Sequence, residues 1–213
     1  MSYRLTRNYE NLNKAIFEGV AKYDIPAILP EKMRLPREFI GFNFMKTEKE
    51  PYTKGLHFFV DDYQFSRVWE NPDAYLEQLG KFKVVCAPDF STYTDFSKAI
   101  QIYNHYRKHW LAAYWQHNGI TVIPTISWSD EKSFEWCFDG EPEKSIVAVS
   151  SVGTQINPES KRLFKLGYDE MLKRLQPETI LFYGVVPEGF EGNIISLTAF
   201  QEQIRKRVAA NGR

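Results

Sequence analysis

Carboxylates stand where several apolar runs of this chain end. Asp61 and Asp62 follow the run 56–60, Asp89 follows 82–87 after one proline, and Asp130 follows 120–126 after Ser127-Trp128-Ser129. Carboxylates brought together from separate strand ends can run general acid/base chemistry when their surroundings push their pKa values apart. They can also ligate a hard divalent cation. Asp89 and Asp130 are the candidate catalytic pair. Asp62, Trp128, Ser150, Ser151, Tyr183 and Arg107 are the candidate ligand-binding residues. In that scheme Trp128 and Tyr183 stack on a substrate. Ser150-Ser151-Val152-Gly153-Thr154, ahead of a helix, offers hydroxyls and backbone N–H groups to an anion. Each residue also has a plainer reading. An Asp after a strand is commonly a cap or turn former, and a lone Trp there commonly covers the end of a core.

The segment from Tyr103 to Trp110 interleaves aromatic and basic residues. His105 and His109 are one helical turn apart and share a face, a spacing that suits a metal. The residue after His105 is Tyr106, so the HExxH pattern is missing; with no third ligand in view, a partly exposed helix face is expected and no metal site is assigned. The same segment suits single-stranded nucleic acid through stacking and charge. Ordinary amphipathicity is the preferred reading, with Tyr103, Tyr106 and Trp110 packed inward and Arg107 and Lys108 facing water. His57 is expected to be a hydrogen-bonded core residue, and His117 to complement a helix C-terminus. There is no P-loop, no GxGxxG and no GxSxG motif, and no cofactor is indicated. The two cysteines, Cys86 and Cys137, sit among apolar neighbours without CxxC spacing, so buried free thiols and a reducing compartment are expected. Arg205-Lys206-Arg207 and Arg213 read as the solvated end of a final helix.

The elements that must position these residues follow from the hydrophobic pattern. Apolar runs at 25–29, 39–44, 56–60, 82–87, 120–126, 145–149 and 179–183 are continuous rather than alternating, as in parallel strands covered on both faces. Helical spacing marks 95–118 and 158–175, with shorter helices at 9–23, 72–79 and 133–138 and a last one at 197–210. Alternation of this kind predicts an α/β protein built of βαβ units, a single domain over 1–213. A compact or incomplete (β/α) TIM-barrel-like fold is preferred, and an open doubly wound, mostly parallel sheet is the alternative. The first three runs are too close together for full crossover helices, so some antiparallel pairing is expected in the N-terminal half.

Composition narrows the function classes. The 213 residues carry 27 Lys+Arg and 27 Asp+Glu, a balance that gives no strong nucleic-acid signal. With 43% hydrophobic and 25% charged residues there is material for a core and no signature of disorder. No signal peptide is readable, no apolar run is long enough for a bilayer, and a cytoplasmic location is expected.

Pro88-Asp89-Phe90-Ser91, the helix with Tyr103-Asn104 and Arg107, and Ile123-Pro124-Thr125-Ile126-Ser127-Trp128 resemble a bacterial and phage family, domain of unknown function 4417. Ser150-Ser151-Val152-Gly153-Thr154 and Phe182-Tyr183-Gly184 resemble its downstream strand ends. The resemblance implies a mobile-element or prophage protein and assigns no catalytic residue. Three functions are weighed. The first is an enzyme binding a small polar or nucleotide-like ligand at its strand ends. The second is a non-enzymatic factor that binds a host or phage protein, and the third is single-stranded nucleic-acid binding.

Overall fold

The computed structural model describes residues 10–197. The expected helix over 197–210 therefore lies, beyond Leu197, outside the described residues, as do Arg205-Lys206-Arg207 and Arg213.

The first pairing is a short antiparallel ribbon, β1 (Gly19–Val20) with β2 (Ile25–Pro26). It stands where the spacing predicts a helix over 9–23. The chain reverses between the two strands through Ala21 (φ 58°) and Asp24 (φ 51°), a left-handed backbone that ends any helix. A Cβ at Gly19 would lie 2.1 Å from the Asp24 carbonyl, so the tight approach requires glycine.

The other strands are parallel. β3 (Phe39–Gly41), β4 (Gly55–His57), β5 (Val84–Cys86) and β6 (Val122–Ile123) form one sheet in that order, and β7 (Ile146–Ser150), β8 (Thr179–Tyr183) and β9 (Ile194–Leu197) form another. A parallel bridge, Thr125 with Ala148, joins the two. Strand order thus follows chain order. The runs at 39–44 and 56–60 pair in parallel despite their short connection, because single 3₁₀ turns at Phe42–Phe44 and Pro51–Thr53 replace a crossover helix. Antiparallel pairing in the N-terminal half is limited, among the described residues, to the β1–β2 ribbon.

Three small helices, α1 (Asp62–Phe65), α2 (Arg67–Glu70) and α3 (Asp73–Leu79), link β4 to β5. The long helix α4 (Lys98–His117) links β5 to β6, and α5 (Pro158–Leu175) links β7 to β8. The local signals of α5 agree with one another. Asn157 and Ser160 form a capping box, Pro158 opens the first turn, and Phe164, Tyr168, Met171 and Leu175 bury one stripe. The expected helix at 133–138 is instead a 3₁₀ turn at Glu131–Glu135.

Alternation along each strand divides the core. Val85, Ala87 and Val122 face α1–α4, while Val147, Val149, Ile180 and Phe182 face α5. The opposite faces of both sheets meet in one cluster, with Val84, Cys86, Ile123, Ile146, Ala148, Leu181 and Tyr183, to which no helix among the described residues contributes. Cys86 and Cys137 are buried free thiols.

Trp128 leaves the end of β6 and lies flat on α5, where Gly167 makes room for it. Its ring stacks on Phe164 at 5.3 Å, and a Cβ at Gly167 would come within 2.2 Å of the indole. Gly167→Ala should therefore destabilise the fold by ~1–3 kcal/mol in urea denaturation. Ala gains up to ~1 kcal/mol of helix propensity over Gly, so a net gain in stability would mean that the indole is not held against α5.

Candidate functional site

A cavity of about 820 Å³ opens where the parallel strands end. β3, β4, β7, β8 and β9 reach it themselves and β5 through Asp89 just beyond its end, so both sheets supply its wall. This is where ligands bind in parallel α/β folds, because strand-end loops project there from a rigid base.

Asp89 is the lining group most altered by its position. Burial, reinforced by the nearby Asp62 carboxylate and partly offset by the Lys108 ammonium, raises its pKa from the ordinary 3.8 to about 7. Its side chain lines the cavity and accepts no hydrogen bond from a described residue. Asp62, at the first turn of α1, also lines the cavity; it accepts from the Ser91 hydroxyl at 2.7 Å and the Ser91 N–H at 3.1 Å.

His57 enters the wall from β4. Desolvation lowers its pKa to about 4, so the imidazole is neutral at physiological pH. Its Nδ1 accepts from the Phe59 N–H at 3.2 Å, which places the ring proton on Nε2. The Tyr183 ring lies 4.6 Å from His57 and stacks on Phe59 at 5.0 Å, giving the cavity an aromatic side. His57 is the wall residue that sequence reasoning assigned only to the core. Its position just before Val60-Asp61-Asp62, at a strand end, was the available signal.

The cavity therefore gathers Asp62, Asp89, Ser150 and Tyr183 from the sequence-derived candidates. The other four lie outside its lining. Asp130 caps the turn Glu131–Glu135, accepting from the N–H groups of Lys132 and Ser133, so the pairing of Asp89 with Asp130 is not formed. Trp128 is engaged on α5, where its indole N–H donates to the Leu163 carbonyl. The Ser151 hydroxyl donates to the Val185 carbonyl at 2.7 Å. Arg107 acts at one remove. It donates to Asn104, which donates to the Ser91 carbonyl, and so braces the serine that holds Asp62. The proposed anion seat at Ser150–Thr154 has little left to offer, because the N–H groups of Ser151, Val152 and Thr154 already bond to Tyr183, Ser150 and Ser151.

α4 differs from its expected exposure. Lys108 is buried, not solvated, and its ammonium lies 2.7 Å from both Glu141 Oε1 and the Thr125 carbonyl. His105 and His109 are buried as well, and Glu141 joins them. The rings of Tyr103, Tyr106 and Trp110 meet the edge or face of Trp69, a packing role rather than a platform for bases. His117 does end α4. No described helix is long and apolar enough to cross a membrane.

Fold and site define a mixed α/β protein with parallel sheets and a polar cavity at the strand ends. The chain belongs to the family described as domain of unknown function (DUF4417), which it matches over residues 17–201, in agreement with the resemblance carried by its strand-end motifs. It is 35% identical over 202 residues to the Gene 1 protein of Mycobacterium phage L5, covering 92% of this chain and 88% of that protein. It is 37% identical over 170 residues to the Gene 1 protein of Mycobacterium phage D29, covering 79% of this chain and 63% of that one. It is thus a phage-type protein by its relatives. No solved structure matches it.

The raised pKa of Asp89 has a defined effect on stability. Between about pH 4 and about pH 7 the folded state holds a proton at Asp89 that the unfolded chain has lost, so stability falls as pH rises through this window and then levels off. Asp89→Asn should remove this decline and raise the melting temperature at pH 8 but not at pH 4, by on the order of 1–3 kcal/mol of relative stability. Parallel pH–stability curves for the two proteins would contradict the assignment.

Proposed function

We propose that the strand-end cavity binds a small polar ligand and that the protein is an enzyme in which Asp89 serves as the general acid/base. The observation that carries this reading is Asp89 itself, a carboxyl with its pKa near neutrality, facing a cavity, with no hydrogen bond from a described residue. A group poised near the working pH has both protonation states available for proton transfer. The neutral His57 supplies a fixed Nε2–H donor, the Phe59–Tyr183 stack supplies a flat apolar side, and Ser150 adds a hydroxyl.

Charge selects among ligands. Glu38, Asp61, Asp62 and Asp89 line the cavity against Arg37, which disfavours a polyphosphate. A neutral or cationic compound with a planar part, such as a nucleoside, a free base or an aromatic amine, suits this wall better than a nucleotide.

The same reading takes the two parallel sheets as one curled, incomplete (β/α) barrel-like sheet. Strand order that follows chain order, the Thr125–Ala148 bridge and a shared face that no helix among the described residues covers support it. A doubly wound sheet reverses its strand order at a switch point and carries helices on both faces.

A thermal-shift screen of nucleosides, bases and amines at pH 6 and pH 8 tests the ligand class, and product formation from any binder tests the chemistry. Asp89→Asn should leave the fold intact and lower turnover roughly 10²–10⁴-fold. A binder that is turned over equally by Asp89→Asn removes the assignment of Asp89. If no compound of these classes binds, the search moves to a host or phage protein as partner.

A further inference from the structure

The histidines of α4 face a carboxylate in the interior, outside the cavity lining. His105 and His109 lie on one side of the helix with ring centroids 4.2 Å apart, and Glu141 reaches them from the loop after the Glu131–Glu135 turn. One donor atom from each of the three residues falls within 4.8 Å of the others, and all three residues are buried.

Hydrogen bonding fixes the protons on both rings. His109 Nδ1 lies 2.8 Å from the Pro26 carbonyl oxygen, and His105 Nε2 lies 3.0 Å from the Asp139 carbonyl oxygen. A carbonyl has no proton to give, so each of these nitrogens must be the donor. In a neutral ring the other nitrogen then carries a lone pair. For His105 that nitrogen is Nδ1, which no described residue reaches by a hydrogen bond. For His109 it is Nε2, only 3.0 Å from Glu141 Oε1. A lone pair pointing at a carboxylate is repulsive unless something positive lies between them.

The carboxylate has a matching gap. Glu141 Oε1 is held by Lys108, whereas Oε2 is buried with no hydrogen-bond partner. A buried carboxylate oxygen left unpaired is costly and uncommon. Metal-binding histidines characteristically give their second N–H to a backbone carbonyl, and metal-binding carboxylates are themselves held by a hydrogen-bond donor. Pro26, Asp139 and Lys108 occupy those supporting positions.

We propose that His105, His109 and Glu141 form a site for a divalent cation of the zinc class, with His105 Nδ1, His109 Nε2 and the Glu141 carboxylate as the protein donors. Two imidazoles and one carboxylate are a ligand set that suits zinc and the neighbouring transition metals better than calcium or magnesium. Burial makes its role structural. The ion fastens the 139–141 loop and the chain around β2, which already meet just after that strand through the Ile28 N–H and the Gly140 carbonyl at 2.9 Å, onto α4.

The test uses the full chain without a polyhistidine tag, purified from medium supplemented with zinc. Elemental mass spectrometry should find a stoichiometric ion, and the cobalt(II)-exchanged protein should show the visible absorption of a tetrahedral N/O site. A strong chelator should lower the melting temperature. Glu141→Gln and His105→Gln should lose the ion. A wild-type protein with no stoichiometric metal, no cobalt spectrum and no melting response to zinc or chelator would overturn the proposal, leaving a proton between His109 and Glu141. Retention of the ion by folded Glu141→Gln and His105→Gln would overturn it equally. If those variants do not fold, the wild-type cobalt spectrum decides.

Discussion

An ammonium group with almost no access to water must be matched by acceptors inside the protein, and Lys108 sets that condition for this fold. Its acceptors are the Thr125 carbonyl and Glu141 Oε1. Thr125 is also the residue that bridges to Ala148 and so joins one parallel sheet to the other. Its hydroxyl in turn donates to the Ala87 carbonyl at the end of β5. Satisfying one lysine therefore fixes the place of α4 against the seam between the sheets, and everything bound to α4 takes its position from it.

Two polar regions depend on that placement. Toward one side, Asn104 reaches the Ser91 carbonyl, and Ser91 holds Asp62 at the cavity wall. Toward the other, His105 and His109 meet Glu141 and the carbonyls of Asp139 and Pro26. The Lys108 charge is felt in both. It binds Glu141 directly, and it partly offsets the burial that raises the pKa of Asp89. A helix that reads as a solvated amphipathic surface is the internal frame of the molecule.

The aspartates at strand ends show how far residue type falls short of role. Asp130 and Asp62 both stand at the start of a helical turn, but Asp130 satisfies the N–H groups of its own turn, whereas Asp62 is held by Ser91 from the next strand end. Asp89 has neither arrangement, and burial beside the Asp62 carboxylate raises its pKa to about 7. The difference lies in which donors the surrounding chain brings near each carboxylate.

The positions of β2 to β8, helix α5 and the buried state of both cysteines were legible from the sequence, because period, caps and apolar runs are local properties that tertiary contacts here reinforce, whereas β9 (Ile194–Leu197) was not anticipated. The family was legible too, through strand-end motifs such as Pro88-Asp89-Phe90-Ser91. The N-terminal ribbon was not, since its apolar spacing fits a helix, and left-handed residues such as Asn11, Ala21 and Asp24 rule one out. The depth of α4 was hidden for a related reason. Lysine, histidine and asparagine read as surface residues unless partners are known, and those partners come from Pro26, Ser91, Thr125, Asp139 and Glu141, many residues away in the chain. The sequence by itself determined the order of β2 to β8 with the long helices between them, and the candidates near the strand ends. Only the tertiary structure decided which polar groups face a cavity, which cap a turn and which meet in the interior, because a buried polar group takes its role from partners that folding brings to it.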